Sequence, residues 1–200
     1  MNNKGRAVII SGPSGSGKGT TVGALLEARP DLKLSISATT RSPRPGEQHG
    51  VNYFYLTCDE FNNKIKNGEM LEYAMYCDNL YGTPKEYIEQ CINSGEDIIL
   101  EIEVQGGAQV KAKMPDAISI FLIPPNRESL EKRLRGRGTE TEEVILARLA
   151  QSYEELKYAD KYDYVVICGE MNKCVSDILN IIDSEKLKSA NMQDYIKENF

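Results

Sequence analysis

Histidine is nearly absent from this chain: His49 is the only one in 200 residues. It stands at no familiar ligand spacing from the five cysteines, Cys58, Cys77, Cys91, Cys168 and Cys174, and these contain no CxxC pair, so a zinc site is excluded. The cysteines read as reduced structural thiols of a cytoplasmic protein. No apolar run approaches the length of a membrane-spanning helix. Residues 1–6 lead straight into an apolar stretch, so no signal peptide is expected. Positive charge is not in excess. The formal net charge of −6 argues against broad, non-specific nucleic-acid binding but leaves room for a local basic pocket that takes phosphates. There is no internal repeat and no low-complexity segment.

What the chain does have is GPSGSGKGT at residues 12–20, directly after the apolar run Ala7, Val8, Ile9, Ile10 and before a stretch that reads as a helix. Strand, glycine-rich turn and helix make up the context of a phosphate loop. Glycines let successive backbone N–H groups curl round an anion, and the helix N-terminus adds partial positive charge at the same place. Gly12, Pro13, Ser14, Gly15, Ser16, Gly17, Lys18, Gly19 and Thr20 are therefore candidates for holding a nucleoside triphosphate, with Lys18 reaching its terminal phosphates. The bland alternative is an ordinary Gly/Ser turn before a helix. Gly19 stands where Ser or Thr is usual, and Thr20 is the substitute hydroxyl near a Mg2+ ion.

Beyond the loop, strand-like and helical stretches alternate. Strands are predicted over 6–11, 32–38, 52–56, 70–76, 97–103, 117–123 and 162–167. Helices are predicted over 17–28, 58–67 (capped by Thr57 or Asp59), 83–93 (Thr83 capping, Pro84 in the first turn), 104–114, 128–134, 141–157 and 172–187. Residues 188–200 are polar and expected to be frayed or loosely docked. The alternation predicts an α/β fold, a parallel-sheet core with helices on both faces. Residues 37–95 break the rhythm and read as a small inserted lobe.

Two further groups of residues point to phosphate chemistry. Arg41 and Arg44 lie in a Pro/Gly-rich loop, with Tyr53, Tyr55, Tyr73, Tyr76 and Tyr81 nearby in sequence. Guanidinium forks match phosphate oxygens and a phenol can donate to them. The alternatives are a solvated arginine pair and, for Tyr55, Tyr73 and Tyr76, core packing. Arg133, Arg135 and Arg137 surround a glycine pair and Arg148 follows on a long helix, which suits a mobile lid of cations. The alternative there is a salt-bridged helix face, since Glu131, Glu140, Glu142 and Glu143 are close by.

From about residue 5 to 187 the sequence resembles guanylate kinase. The resemblance is carried by GPSGSGKGT, SATTRSPRPGE (37–47), VNYFY around Tyr53, LEYA with Glu72, YGT (81–83), LEIEVQGG (100–107) and RGRGTETEE (135–143), in that order. It implies transfer of the γ-phosphoryl group of ATP to GMP, with Mg2+ as cofactor. ATP and GMP would be the small-molecule partners of a monomer or homo-oligomer that involves no nucleic acid and no membrane. It implies a single domain over 1–200: core 5–36, 96–130 and 150–188, GMP-binding lobe 37–95, lid 131–149 and tail 189–200. Ser37, Arg41, Arg44, Tyr53, Glu72, Tyr81, Thr83 and Glu103 would form the GMP site. Of these, Arg41, Arg44, Tyr53 and Tyr81 would hold the phosphate, while Ser37, Glu72 and Thr83 would meet the base. Lys18, Arg41, Arg133, Arg137 and Arg148 would be the catalytic cations, and Thr20 and Glu101 would sit near Mg2+, directly or through water.

Besides Gly19, the chain departs from the family pattern where Glu103 replaces a frequent aspartate and where Cys168-Gly169 replaces Asn-Asp after the last strand, so no residue is assigned to the donor base. The rival readings are a kinase for another small phosphate acceptor on the same scaffold and a non-catalytic guanylate-kinase-like interaction module. A regulatory GTPase lacks support, because no NKxD sequence occurs.

Overall fold

The structure is a computed structural model that describes residues 4–76, 78–136 and 141–200; the side chains of residues 76 and 194 are not described. Strand β1 (Ala7–Ser11) is buried along its whole length. Its run has no polar face because it needs none. Val8 and Ile10 pack on one side with Val22 and Leu25 of α1 (Lys18–Ala28) and Ile178 and Ile182 of α7 (Met171–Lys186). Ala7 and Ile9 pack on the other with Ile88 of α3 (Glu86–Asn93) and Val110 of α4 (Val104–Lys113). A strand sandwiched between two helical layers is apolar along its run, and the buried Ser11 at its end is satisfied by donating to the Ile102 carbonyl at 2.9 Å. With β2 (Lys33–Leu34), β7 (Ile98–Glu101), β8 (Ile118–Ile123) and β9 (Tyr164–Ile167) it forms a five-stranded parallel sheet in the order β2-β7-β1-β8-β9. β1 is central, so the loop after it opens at the carboxyl edge where the order of strands reverses.

A second sheet holds β3 (Ala38–Thr39), β4 (Phe54–Tyr55), β5 (Met70–Tyr76) and β6 (Asn79–Pro84) in the order β4-β3-β6-β5. The single strand predicted over 32–38 is thus two short ones in different sheets, with residues 35–37 crossing between them. The predicted helix start at Thr83-Pro84 is also corrected. Both residues close β6, paired with β5 in the register Glu72↔Thr83 and Met70↔Pro84, and α3 begins only at Glu86. Between those two pairs the register shifts, as at a bulge, and Met70, Leu71 and Glu72 are all buried in succession. Simple alternation would have turned one of them to solvent.

Helix α2 (Cys58–Lys66) starts in a capping box: Thr57 Oγ1 accepts from the Glu60 amide, and Glu60 accepts from the Thr57 amide at 2.7 Å. Helix α5 (Arg127–Arg135), capped by Asn126, buries Leu130 and Leu134 against Ile145 and Leu149 of α6 (Glu142–Leu156). The tail is ordered but loosely docked: a 3-10 turn (Ser189–Met192) precedes α8 (Gln193–Asn199), Asn191 donates to the Glu185 carbonyl at 2.7 Å, and most of its described residues are exposed. The side chains of Cys168 and Cys174 face each other, with Cα atoms 5.3 Å apart. Cys58 is free and exposed, and Cys91 is free and buried. Among the described residues no helix is long and apolar enough to cross a membrane.

Candidate active site

Between β1 and α1 the backbone turns through left-handed conformations at Gly15 (φ 83°) and Gly17 (φ 97°). Gly17 is the N-cap of α1 and no side chain caps the helix. The first amides of α1 therefore have neither a carbonyl one turn earlier nor a capping oxygen, and they remain available to an anion. Lys18 begins that helix. Its ammonium donates to the carbonyls of Gly12 (2.6 Å) and Pro13 (3.4 Å) and lies 3.9 Å from the Glu103 carboxylate.

Two of the expected arginines converge on the loop. Arg133 donates to the carbonyls of Ser16 (2.8 Å) and Cys168 (2.6 Å), which ties α5 to the loop and to the end of β9. Arg148 donates to Ser14 Oγ at 2.7 Å. Ser152 donates to the Ser14 carbonyl at 3.0 Å, and the Ser14 amide donates to Glu155 at 3.1 Å. Arg148, Ser152 and Glu155 share one face of α6, four and then three residues apart. The sequence reading missed Ser152 and Glu155; the helical spacing is legible, but nothing in the sequence ties that face to residue 14. Arg135 is not part of this group. It pairs with Glu131 (2.8 Å) and Glu142 (2.5 Å), which is the salt-bridged alternative, and those carboxylates raise its pKa. Arg137 lies outside the described residues.

In the second sheet, Arg41 sits over the rings of Tyr53 (5.5 Å) and Tyr55 (5.9 Å), and Tyr53 meets Tyr81 edge-on at 6.1 Å. Glu47 binds Arg41 end-on. Arg44 is exposed, as is Tyr73, which the core-packing expectation would have buried. Ser37 is half-buried where the chain crosses between the sheets, its carbonyl accepting from the Phe54 amide at 2.9 Å. Glu72 is buried, and Thr83 Oγ1 donates to its Oε1 at 2.6 Å. Burial raises the Glu72 pKa, with the Thr83 hydroxyl and Lys113 acting against it. A side chain on Gly106 would bring Cβ to 2.7 Å from Glu72 Oε2 and 2.5 Å from Ile102 Cγ2, so the carboxylate keeps its place only because residue 106 is glycine. Gly106→Ala is expected to displace Glu72 and Ile102, at about 1–3 kcal/mol of overpacking. A melting curve checks this, and an unchanged melting temperature would count against it.

Glu101 ends β7 beside α1. A Cβ on Gly19 would lie 3.5 Å from Glu101 Oε1. Desolvation raises the Glu101 pKa, the Lys18 charge lowers it and Glu103 raises it again. Thr20 is exposed in the first turn of α1.

The guanylate kinase family model matches residues 4–185. The chain belongs to the guanylate kinase family. It is 46% identical over 198 residues to the guanylate kinase of Oceanobacillus iheyensis, covering 99% of this chain and 96% of that one. It is 52% identical over 180 residues to the guanylate kinase of Fusobacterium nucleatum, covering 90% and 97%. The crystal structure of guanylate kinase from Anaplasma phagocytophilum superposes with a TM-score of 0.80 at 28% identity, covering 100% of this chain and 97% of that one. The α/β fold and its parallel sheet are those of the family. Membership carries the activity, ATP:GMP phosphotransfer by a nucleoside monophosphate kinase.

Proposed function

We propose that the transfer from ATP to GMP takes place between the loop at residues 12–20 and the second sheet. In this reading residues 5–36, 96–130 and 150–188 are the core, 37–95 the GMP-binding lobe, 131–149 the lid and 189–200 a tail, and the protein works in the cytoplasm. The observation that supports it most is the buried Glu72–Thr83 pair, which presents acceptor oxygens beside a cluster of Arg41, Tyr53 and Tyr81. A guanine edge offers N1–H and a 2-amino group, two adjacent donors for one carboxylate. Arg41, Arg44, Tyr53 and Tyr81 would hold the phosphate, and Ser37 and Thr83 would meet the base.

The acceptor phosphate is already nucleophilic at neutral pH, so no histidine base is needed. What the reaction requires is alignment and neutralisation of charge. Arg41 and Arg44 offset repulsion between the two anions. Lys18 leaves the Gly12 carbonyl for the transferring phosphate, while Arg133 and Arg148 hold the loop's shape and, with Arg137, add positive charge. Glu103, 3.9 Å from the Lys18 ammonium, would complete the GMP site.

The residues present fit a Mg2+ ion. Such an ion keeps several waters and takes one or two carboxylates plus substrate phosphates, with no all-protein cage. Among the described residues there is no cluster of three or more acidic, His or Cys ligands; Glu101, against Gly19 and close enough to Glu103 to feel its charge, would be the carboxylate that meets the ion, with Thr20 the nearest hydroxyl in sequence. Mg2+ bound with ATP supplies charge neutralisation at the phosphates. ADP release with ATP, Mg2+ and each of GMP, AMP, IMP, CMP and UMP tests the reading. GMP is expected to exceed AMP by about a hundredfold or more in kcat/KM. A better turnover of any other acceptor would replace the guanine assignment.

A further inference from the structure

Glu47 lies in the loop that carries both acceptor arginines and bonds to three of its neighbours there. Its Oε1 accepts from Arg41 Nη2 at 3.0 Å, and its Oε2 lies 3.0 Å from Arg41 Nη1. The same Oε2 accepts from the Arg44 amide at 2.7 Å and from the Tyr55 hydroxyl at 2.8 Å. Arg41 Nη1 also donates to the Ser42 carbonyl at 2.7 Å. We infer that Glu47 is a positioning residue for the acceptor's phosphate monoester, holding Arg41, the backbone of Arg44 and Tyr55 in the arrangement the phosphate binds. This rests on the reading that Arg41 grips that phosphate.

The physical case is one of ordering. A guanidinium carries donors on three edges, and a free arginine on a loop must lose its rotamer freedom when the ligand binds. Here Glu47 and Ser42 occupy the Nη1 and Nη2 ends, and the Nε–H is engaged by neither. The rings of Tyr53 and Tyr55 flank the group. Arg41 and then the Arg44 amide hold the Glu47 carboxyl down to about 2, so it is ionised throughout the working range. An ionised carboxylate beside a phosphate would oppose binding if it were unpaired; paired end-on with Arg41, it fixes the cation that the phosphate meets. The opposite reading is that Glu47 imitates the phosphate and has to leave, in which case removing its charge would tighten GMP.

Calorimetric binding of GMP and of guanosine, with steady-state KM for GMP and ATP, decides between these readings in Glu47→Gln, Tyr55→Phe and Arg41→Ala proteins. Glu47→Gln is expected to weaken GMP by about tenfold through loss of a charge-assisted bidentate pair. Guanosine affinity and KM for ATP should stay as they were, with kcat within about threefold. Tyr55→Phe removes the hydroxyl bond to Glu47 and should shift GMP in the same direction by about two- to fourfold. Unchanged or tighter GMP binding in a folded Glu47→Gln protein would overturn the inference, as would parallel losses for guanosine and ATP. Should Glu47→Gln fail to fold, an unshifted GMP affinity in Tyr55→Phe overturns it instead. Arg41→Ala separates the two levels. If it weakens GMP while Glu47→Gln does not, only the positioning role fails; if it leaves GMP unchanged, the Arg41 reading fails with it.

Discussion

Lys18→Ala is expected to lower kcat by at least about a hundredfold, some 3–4 kcal/mol of barrier, because it removes a positioned cation from the developing charge of the transferring phosphate. The structure indicates why the fold should survive. Among the described residues, the Lys18 ammonium contacts loop carbonyls and Glu103 and belongs to no hydrophobic cluster. The main local loss is the 2.6 Å bond to the Gly12 carbonyl, which the amine must give up in any case when it turns to a phosphate. The measurement is kcat for GMP phosphorylation beside a thermal melt. A folded Lys18→Ala protein with near-normal kcat would remove the loop from the chemistry.

Glu72→Gln should change the choice of base with little harm to the fold. A glutamine keeps one oxygen for the Thr83 hydroxyl but turns an amide donor towards guanine's N1–H or 2-amino group. The expected cost is about 2–4 kcal/mol in kcat/KM for GMP, from a lost charged bond and an unpaired buried donor. AMP should gain relative to GMP, since its N1 is a lone pair. IMP, which keeps N1–H and lacks the 2-amino group, should fall between them with the unmodified enzyme. Stability should move the other way. Burial raises the Glu72 pKa in the folded protein, so its contribution to stability is fully present below the unfolded pKa and is lost as pH rises through the folded one. At neutral pH the neutral amide is therefore expected to melt at the same temperature or higher. Kinetics for the three acceptors and a melt with both proteins test this. An unchanged GMP-to-AMP ratio would take Glu72 out of base reading.

The donor half of the site was legible in the sequence because a phosphate loop is local. Strand, glycines, lysine and helix are contiguous, and one apolar run specifies the central strand. In the acceptor half the arginine and tyrosine cluster was legible from residue type, but the base-reading pair was legible only through resemblance, since Glu72 and Thr83 meet by cross-strand pairing and neither residue's neighbours disclose it. Thr83-Pro84 carries a sound local signal for a helix start, and pairing with β5 overrides it. The bulge that buries three residues in a row on β5 has no signature in side-chain alternation. Arg135 and Arg133 look alike in the sequence, yet one faces Glu131 and Glu142 while the other reaches Ser16 and Cys168. Glu47 sat in view at the end of PRPGE, and its spacing of three from Arg44 and six from Arg41 says nothing until the turn folds. The facing of Cys168 and Cys174 depends on α7 starting just after β9, which brings two residues six apart together.

The most direct measurement is a crystal structure of the protein with GMP and ADP bound. The guanine N1–H and 2-amino groups should lie within hydrogen-bond distance of the Glu72 carboxylate, and the GMP phosphate between Arg41 and Arg44. The ADP phosphates should sit on the amides of residues 12–20, with Lys18 Nζ moved from the Gly12 carbonyl towards them. A guanine ring bound elsewhere, with Glu72 still engaged only by Thr83, would contradict the site described here.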